Sequence, residues 1–216
     1  MITGRDINDT LKQTLGRLLV ILAVSCTTSL SAGTESGTTN QQAIFAGGCF
    51  WCMEPPFDAL DGIISTTSGY IGGTVAEPSY KQVSSGTTGH TEALKIVYNP
   101  DKITYEELLT TFWKNIDPVD GGGQFCDRGS QYRSEVFYTS DQQRELAEKS
   151  KQRLDASDTL SAPVQTAISA ASQFYPAEGY HQNYYQKNPK RYKFYSWNCG
   201  RKQRLLQLWG KAYDQP

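Results

Sequence analysis

The residues of this chain best equipped for chemistry are its thiols, and Cys49 stands out among the five cysteines because it follows two glycines directly. It closes the short apolar stretch AIFAGG (43–48) and opens FWCME, which puts it at the start of a helix. There, unpaired backbone N–H groups and the helix dipole favour a thiolate, the reactive form of cysteine. Cys52, three residues on, completes a C-x-x-C motif, which at a helix N-terminus can mark a thiol–disulfide oxidoreductase. A zinc site built from Cys49, Cys52, Cys126 and Cys199 is a further reading, but a zinc ribbon has a second C-x-x-C pair, which this chain lacks. His90 and His181 are isolated and read as structural hydrogen-bonders.

The second chemical group is a carboxyl. In TEALKIVY (91–98) strict alternation puts Glu92, Leu94, Ile96 and Tyr98 on one face of a strand, with Thr91, Ala93, Lys95 and Val97 on the other. Glu92 thus points with the apolar set. Burial disfavours the charged form of a carboxyl and raises its pKa, so Glu92 is a candidate proton donor. A glutamate reaching solvent or pairing with a lysine is the competing reading. The stretch DGGGQFCDRGSQYRS (120–134) is a long Gly-rich loop that carries Cys126, Asp127, Gln131, Tyr132 and Arg133, and Tyr80 sits in another loop beyond Pro78.

These groups need a scaffold. AIFAGG reads as a strand, and Pro55 and Pro56 should break the segment after Cys49 into one helical turn, a kink, and a second piece through Leu60. GIISTTSGYIGG (62–73) is β-rich and ends in a glycine turn. Thr104 and Glu107 form a capping-box signature, and Leu108, Leu109, Phe112, Trp113 and Ile116 give the helix behind it one apolar stripe. EVFYTS returns as a strand, Ser140 with Gln143 caps a polar helix to about Ser157, and VQTAIS (164–169) is another strand. Alternating strands and helices with crossovers that cover one side of a sheet imply a two-layer α/β sandwich of the α+β class. The expected form is a ferredoxin-like plait with long loops and an extended C-terminal segment. A closing helix holds Leu205, Leu206 and Trp209 and stops at Gly210.

Residues 1–32 read as a signal peptide: Arg5, Lys12 and Arg17 precede the apolar run LLVILAV, which is too short to span a bilayer permanently. Ser25-Cys26 also fits a lipoprotein attachment site of imperfect consensus, the one route to a membrane anchor at Cys26. Residues 33–42 have linker composition, 43–211 make one domain, and 212–216 are a tail. The reading places the protein in an exported, periplasmic or envelope setting, or in the cytoplasm if the N-terminal segment is not a signal. The formal net charge of -1 argues against a nucleic-acid binder, even though tyrosines alternate with Lys and Arg between Phe174 and Gly210.

Together these pieces resemble the peptide methionine sulfoxide reductases of type A. GGCFW, GYIGG, PSYKQVSSGTTGHTEA, DRGSQYRS and EGYHQNYYQKNP are similar to that family's signature blocks, in order, from about residue 42 to 200. The resemblance implies reduction of the S epimer of methionine sulfoxide, protein-bound or free, a reaction that requires no metal or organic cofactor; the chain is expected to act as a monomer. It casts Cys49 as the nucleophile that becomes a sulfenic acid, Phe50 and Trp51 as the walls around the substrate methyl, and Glu92 as the acid. Tyr80 and Tyr132 become hydroxyl donors to the sulfoxide oxygen, and Asp127 belongs to the same polar cluster. It further implies that Cys199, in NCGR, resolves the sulfenic acid through a disulfide, with Cys52 and Cys126 as alternatives, and that thioredoxin or a thioredoxin-like protein is the reductant. Oxidised proteins are the implied substrates.

Overall fold

The computed structural model describes residues 39–210. The segment read as a signal peptide, most of the expected linker and the tail lie outside the described residues. The domain begins at Gln41, two residues earlier than expected, because Gln41 and Gln42 already pair with Tyr98 and Val97.

Four strands carry the architecture: β1 (Gln41–Gly47), β2 (Ile63–Ile71), β3 (Thr91–Tyr98) and a fourth at Ser134–Tyr138 that is β6 in chain order. They lie in the order β6-β1-β3-β2 with every neighbour antiparallel. Helix α1 (Phe50–Asp58) connects β1 to β2 and α3 (Tyr105–Lys114) follows β3, which is the βαββαβ arrangement of a ferredoxin-like plait. The short α2 (Tyr80–Ser84) lies between β2 and β3, and β4 (Gly123–Gln124) pairs with β5 (Asp127–Arg128) in a small hairpin. Beyond β6 come α4 (Asp141–Asp155), β7 (Ala167–Ala170), parallel to β6, and β8 (Tyr175–Pro176), which edges β2.

The alternation read in β3 holds. Leu94, Ile96 and Tyr98 enter the main core with Phe45, Met53, Phe57, Leu108, Phe112 and Val136, whereas Ala93 joins the smaller cluster on the opposite face with Ile44, Ala46, Ile71 and Phe137. The Thr104 hydroxyl accepts from the Glu107 N–H at 3.2 Å and Glu107 reaches back to the Thr104 N–H at 2.8 Å, closing the box that starts α3.

Other expectations need correction. Helix α1 runs unbroken through Pro55 and Pro56. Each proline removes a donor at a cost of about 3 kcal/mol, but Met53 and Phe57 are fully buried, and burying each contributes about 1.5–3 kcal/mol. Residues 164–166 are an anchor and not the start of a strand: the Val164 N–H donates to Asp155 Oδ1 and the Gln165 N–H to the Pro118 carbonyl, so β7 begins only at Ala167. The 120–134 loop contains the β4–β5 hairpin and a 3-10 turn at Ser130–Tyr132. The C-terminal segment is mostly helical, folding into α5 (Tyr184–Lys187), α6 (Pro189–Asn198) and α7 (Arg201–Trp209), which ends at Gly210 with φ 56°. Among the described residues no helix is long and apolar enough to cross a membrane.

Candidate active site

The antiparallel order brings the ends of β1 and β2 to the same side of the sheet as the beginnings of β3 and β6. Gly47 pairs with Ser134 and Tyr70 with Glu92. The glycines before Cys49 let the chain turn there: a Cβ on Gly48, whose φ is +82°, would meet Gln124 Cβ at 2.6 Å. Gln124 is itself fixed by a pair of hydrogen bonds with the Asp117 backbone at 2.7 and 2.8 Å.

Cys49 occupies the N-cap of α1 with only 7% of its surface exposed. The free N–H at the helix start does not serve the thiol. Phe50 N–H donates instead to Glu92 Oε2 at 3.0 Å, in a fully buried contact. Burial drives the Cys49 pKa well up, aided by the neighbouring Cys52 thiol and by the negative charge of Glu92 and Asp127. The thiolate expected from the helix dipole is therefore corrected to a resting thiol, because a partial charge at a helix end is outweighed by desolvation and two carboxyls. Burial likewise raises Glu92 to about 8, even with the opposing Phe50 hydrogen bond. Glu92 is the buried acid that strand alternation anticipated.

Tyr80 and Tyr132 come together over this pair. Tyr80 opens α2, and its N–H donates to Glu178 Oε1 at 2.8 Å. Tyr132 ends the 3-10 turn, which is tied to β3 because the Thr91 hydroxyl donates to the Gln131 carbonyl at 3.1 Å. Their hydroxyls lie close enough to Glu92 and Cys49 to feel both. Burial pushes Tyr80 up to about 12 and Tyr132 further, so both are O–H donors at neutral pH.

Trp51 is locked as a wall. It stacks on Tyr184 at 3.6 Å and 5° between ring planes, and its indole N–H donates to His181 Nδ1 at 3.1 Å. Phe50 lies against Tyr70 and His181, with ring centroids at 6.1 and 5.0 Å. His181 hydrogen-bonds as the sequence suggested, but inside the site, whereas His90 only pins a turn, accepting from the Gly73 N–H and contacting the Val75 carbonyl.

The remaining cysteines close the site on its other flank. Cys126 and Cys199 form a disulfide with Cα atoms 4.9 Å apart, and Cys49 and Cys52 are free thiols. With two of the four sulfurs bonded to each other, the zinc reading loses its ligand set. Cys199 is paired here with Cys126 and not with Cys49. Asp127 lies beside the disulfide, its Oδ1 3.9 Å from Cys126 Sγ and its Oδ2 3.9 Å from Cys199 Sγ. Tyr195 donates to the same Oδ2 at 2.5 Å.

Sequence reasoning missed Tyr195, Glu178, Tyr184 and Arg201. Arg201 is buried between the Phe125 ring, at 4.5 Å, and Met53 Sδ, at 3.3 Å, and it also bonds the Asn115 carbonyl. Its only signal was the density of aromatic and basic residues in the C-terminal tract, which does not say which side chains turn inward.

A buried thiol facing a protonated carboxyl, with a disulfide on its flank, defines a thiol-dependent oxidoreductase. Residues 41–213 match the family model described as peptide methionine sulfoxide reductase. Curated relatives include the MsrA enzymes of Bacillus licheniformis, 51% identical over 80% of this chain and 96% of the relative, and Bacillus subtilis, 53% identical over 78% and 95%. Among solved structures, Mxr1 from Saccharomyces cerevisiae in reduced form matches with TM-score 0.66 and 34% identity, over 70% of this chain and 87% of Mxr1. Methionine sulfoxide reductase A of Corynebacterium diphtheriae matches with TM-score 0.63 and 30% identity, over 72% and 77%. The chain belongs to the peptide methionine sulfoxide reductase family. It is an oxidoreductase that reduces methionine sulfoxide.

Proposed function

We propose that this enzyme reduces the S epimer of methionine sulfoxide in oxidised proteins, with Cys49 as nucleophile and Glu92 as acid. The observation that carries the reading is Glu92: a buried carboxyl, raised to about 8 and fixed by the N–H of the residue next to Cys49. A sulfoxide sulfur is a poor electrophile until its oxygen is protonated or strongly hydrogen-bonded. Glu92 gives its proton to that oxygen, Tyr80 and Tyr132 donate to it, and Cys49 sulfur attacks the substrate sulfur. The thiol proton of Cys49 returns to Glu92, methionine leaves, and Cys49 holds the oxygen as a sulfenic acid. Phe50 and Trp51 take the substrate methyl, so the epimer that would exchange methyl and oxygen puts its oxygen against aromatic rings.

The sulfenic acid then condenses with a second thiol, releasing water and forming a disulfide. Cys199 remains the preferred resolving residue, and exchange with Cys126 gives the disulfide seen here, leaving Cys49 free for another substrate. A thioredoxin-like dithiol protein restores the reduced state. Residues 1–32 act as an export signal, which N-terminal sequencing of the mature protein tests.

The deciding assay supplies separated epimers of a methionine sulfoxide peptide with a thiol reductant. Turnover confined to the S epimer is expected, and equal turnover of both epimers would remove the role given to Phe50 and Trp51.

A further inference from the structure

The Cys126–Cys199 disulfide must be opened and closed once in every catalytic cycle, and each passage moves a proton as well as electrons. A thiolate is the species that attacks, and a thiolate is also the leaving group. The group placed to manage that proton is Asp127. Each carboxyl oxygen faces one of the two sulfurs at 3.9 Å, and no other carboxyl shares that position among the described residues. Tyr195, one helical turn before Cys199 on α6, donates to Oδ2 at 2.5 Å and lies near enough to the Cys49 thiol to feel its charge. The contacts therefore run from Tyr195 through Asp127 to both sulfurs of the disulfide.

We infer that Asp127 is the acid–base group of the Cys126–Cys199 exchange, with Tyr195 as the positioning residue that holds its carboxyl; the assignment rests on the reductase cycle proposed above. Cys126 is exposed and Cys199 half-buried, so an incoming thiolate attacks Cys126. A bond forms between the reductant sulfur and Cys126, the S–S bond breaks, and its electron pair leaves on Cys199. Asp127 hands its proton to Cys199, so that thiolate, disulfide and carboxylic acid become a mixed disulfide, a Cys199 thiol and a carboxylate. The second thiol of the reductant then attacks the reductant sulfur of the mixed disulfide and releases Cys126 as a thiol, its proton coming from that attacking thiol by way of Asp127 Oδ1. The reductant ends as its own disulfide, two electrons having passed to the enzyme. In the oxidising direction the carboxylate takes the proton of the attacking thiol.

The groups facing Asp127 are Tyr195 from α6, Arg201 from α7, Cys49 and Cys52 from α1, Glu92 from β3 and Tyr132 from the 3-10 turn. Burial raises the carboxyl, while the Tyr195 hydrogen bond and the Arg201 charge oppose the rise. The acid form is the one that assists reduction, so its advantage is present at low pH and lost as pH rises through this raised value.

The test uses the purified disulfide form, dithiothreitol and no sulfoxide. Samples are acid-quenched and alkylated, and new thiols at Cys126 and Cys199 are counted by mass spectrometry across pH. The ratio of variant to wild-type rate cancels the titration of dithiothreitol itself. Asp127→Asn is expected to slow disulfide reduction at least about ten-fold where the acid is protonated, as removal of general acid catalysis does, with the ratio returning toward one at high pH. A ratio near one at every pH overturns the proposal. If Asp127→Asn does not fold, Tyr195→Phe decides. Without its donor the carboxyl titrates higher, so the fall in rate moves to higher pH, and an unmoved profile overturns the proposal. Failure of the epimer assay would instead strike the sulfoxide chemistry, and this half-reaction would still be measurable.

Discussion

The two thiol pairs of this enzyme occupy opposite environments. Cys49 and Cys52 lie three residues apart at the start of α1, packed among Phe50, Met53 and Glu92, all at most 2% exposed. Cys126 and Cys199 lie 73 residues apart, one in a hairpin loop and the other at the end of a peripheral helix, with Cys126 open to solvent. The difference fits the task proposed for each pair. Proton transfer to a sulfoxide needs a carboxyl kept neutral near pH 7, which only a dry site on a rigid sheet provides. Exchange with a protein reductant needs a sulfur that a partner can touch. In the proposed cycle Asp127, held by Tyr195, serves the exposed pair.

The sharpest way to break this division is at Cys49. Cys49→Ser is expected to be inactive toward methionine sulfoxide in both single-turnover and steady-state assays, while its Cys126–Cys199 disulfide stays reducible by dithiothreitol. Detectable sulfoxide reduction by that variant would move the nucleophile elsewhere.

Glu92→Gln comes next. It should lower kcat about 10²–10⁴-fold with little change in KM, because protonation of the oxygen matters in the transition state and not in binding. Wild-type kcat/KM should decline as pH rises through about 8, where Glu92 loses its proton, and the variant should lack that decline. The substitution should act on stability in the opposite sense to its effect on activity. The folded protein holds this proton up to about 8 whereas the unfolded chain releases it near 4.5, so between those values rising pH costs the wild type stability. Gln carries no such penalty, and thermal unfolding of the variant near pH 8 should come at a higher Tm. A variant both inactive and less stable would point to a structural carboxyl.

Smaller effects separate the halves of the cycle. Cys126→Ser should cut steady-state turnover with a protein dithiol at least about ten-fold while leaving the first methionine released per enzyme at its normal rate, since exchange and not chemistry loses its partner. Loss of the first turnover as well would place Cys126 in the sulfoxide step. Trp51→Ala should raise KM about ten-fold through the lost pocket wall, a change of the size that hydrophobic pocket contacts carry.

Legibility in the sequence divides along the same line. Glu92 could be read from alternation because one face of β3 is buried, and Cys49 from glycines that only a tight turn explains. Helix α1 was misjudged because local proline rules omit the burial of Met53 and Phe57 that holds it together. The charge of Cys49 was misjudged for a related reason: the helix end is visible in sequence, but the carboxyls that crowd it come from β3 and the 120–134 loop. The Cys126–Cys199 pairing was not readable, since it depends on the path of the C-terminal segment across the site, and the same path selects His181, Tyr184 and Tyr195 from a tract of similar residues.

The smallest expected effect checks whether the scaffold and the site are separable. Thr104 caps α3 through its hydrogen bonds with Glu107, on an exposed surface and outside every contact made by Cys49, Glu92 or the disulfide. Thr104→Ala should cost about 1 kcal/mol of stability, the usual worth of an N-cap. It should leave the sulfoxide step and the rate of disulfide reduction unchanged relative to each other. Helix α3 supplies Phe112 to the core, and Ile116 just beyond its C-terminal end packs against Gly47 before Cys49, so a selective slowing of the sulfoxide step in Thr104→Ala would show that the acid's geometry depends on the far end of that helix. Equal rates in both steps, with the lower Tm, would instead confine the cap's contribution to folding and leave the division between buried and exposed thiols intact.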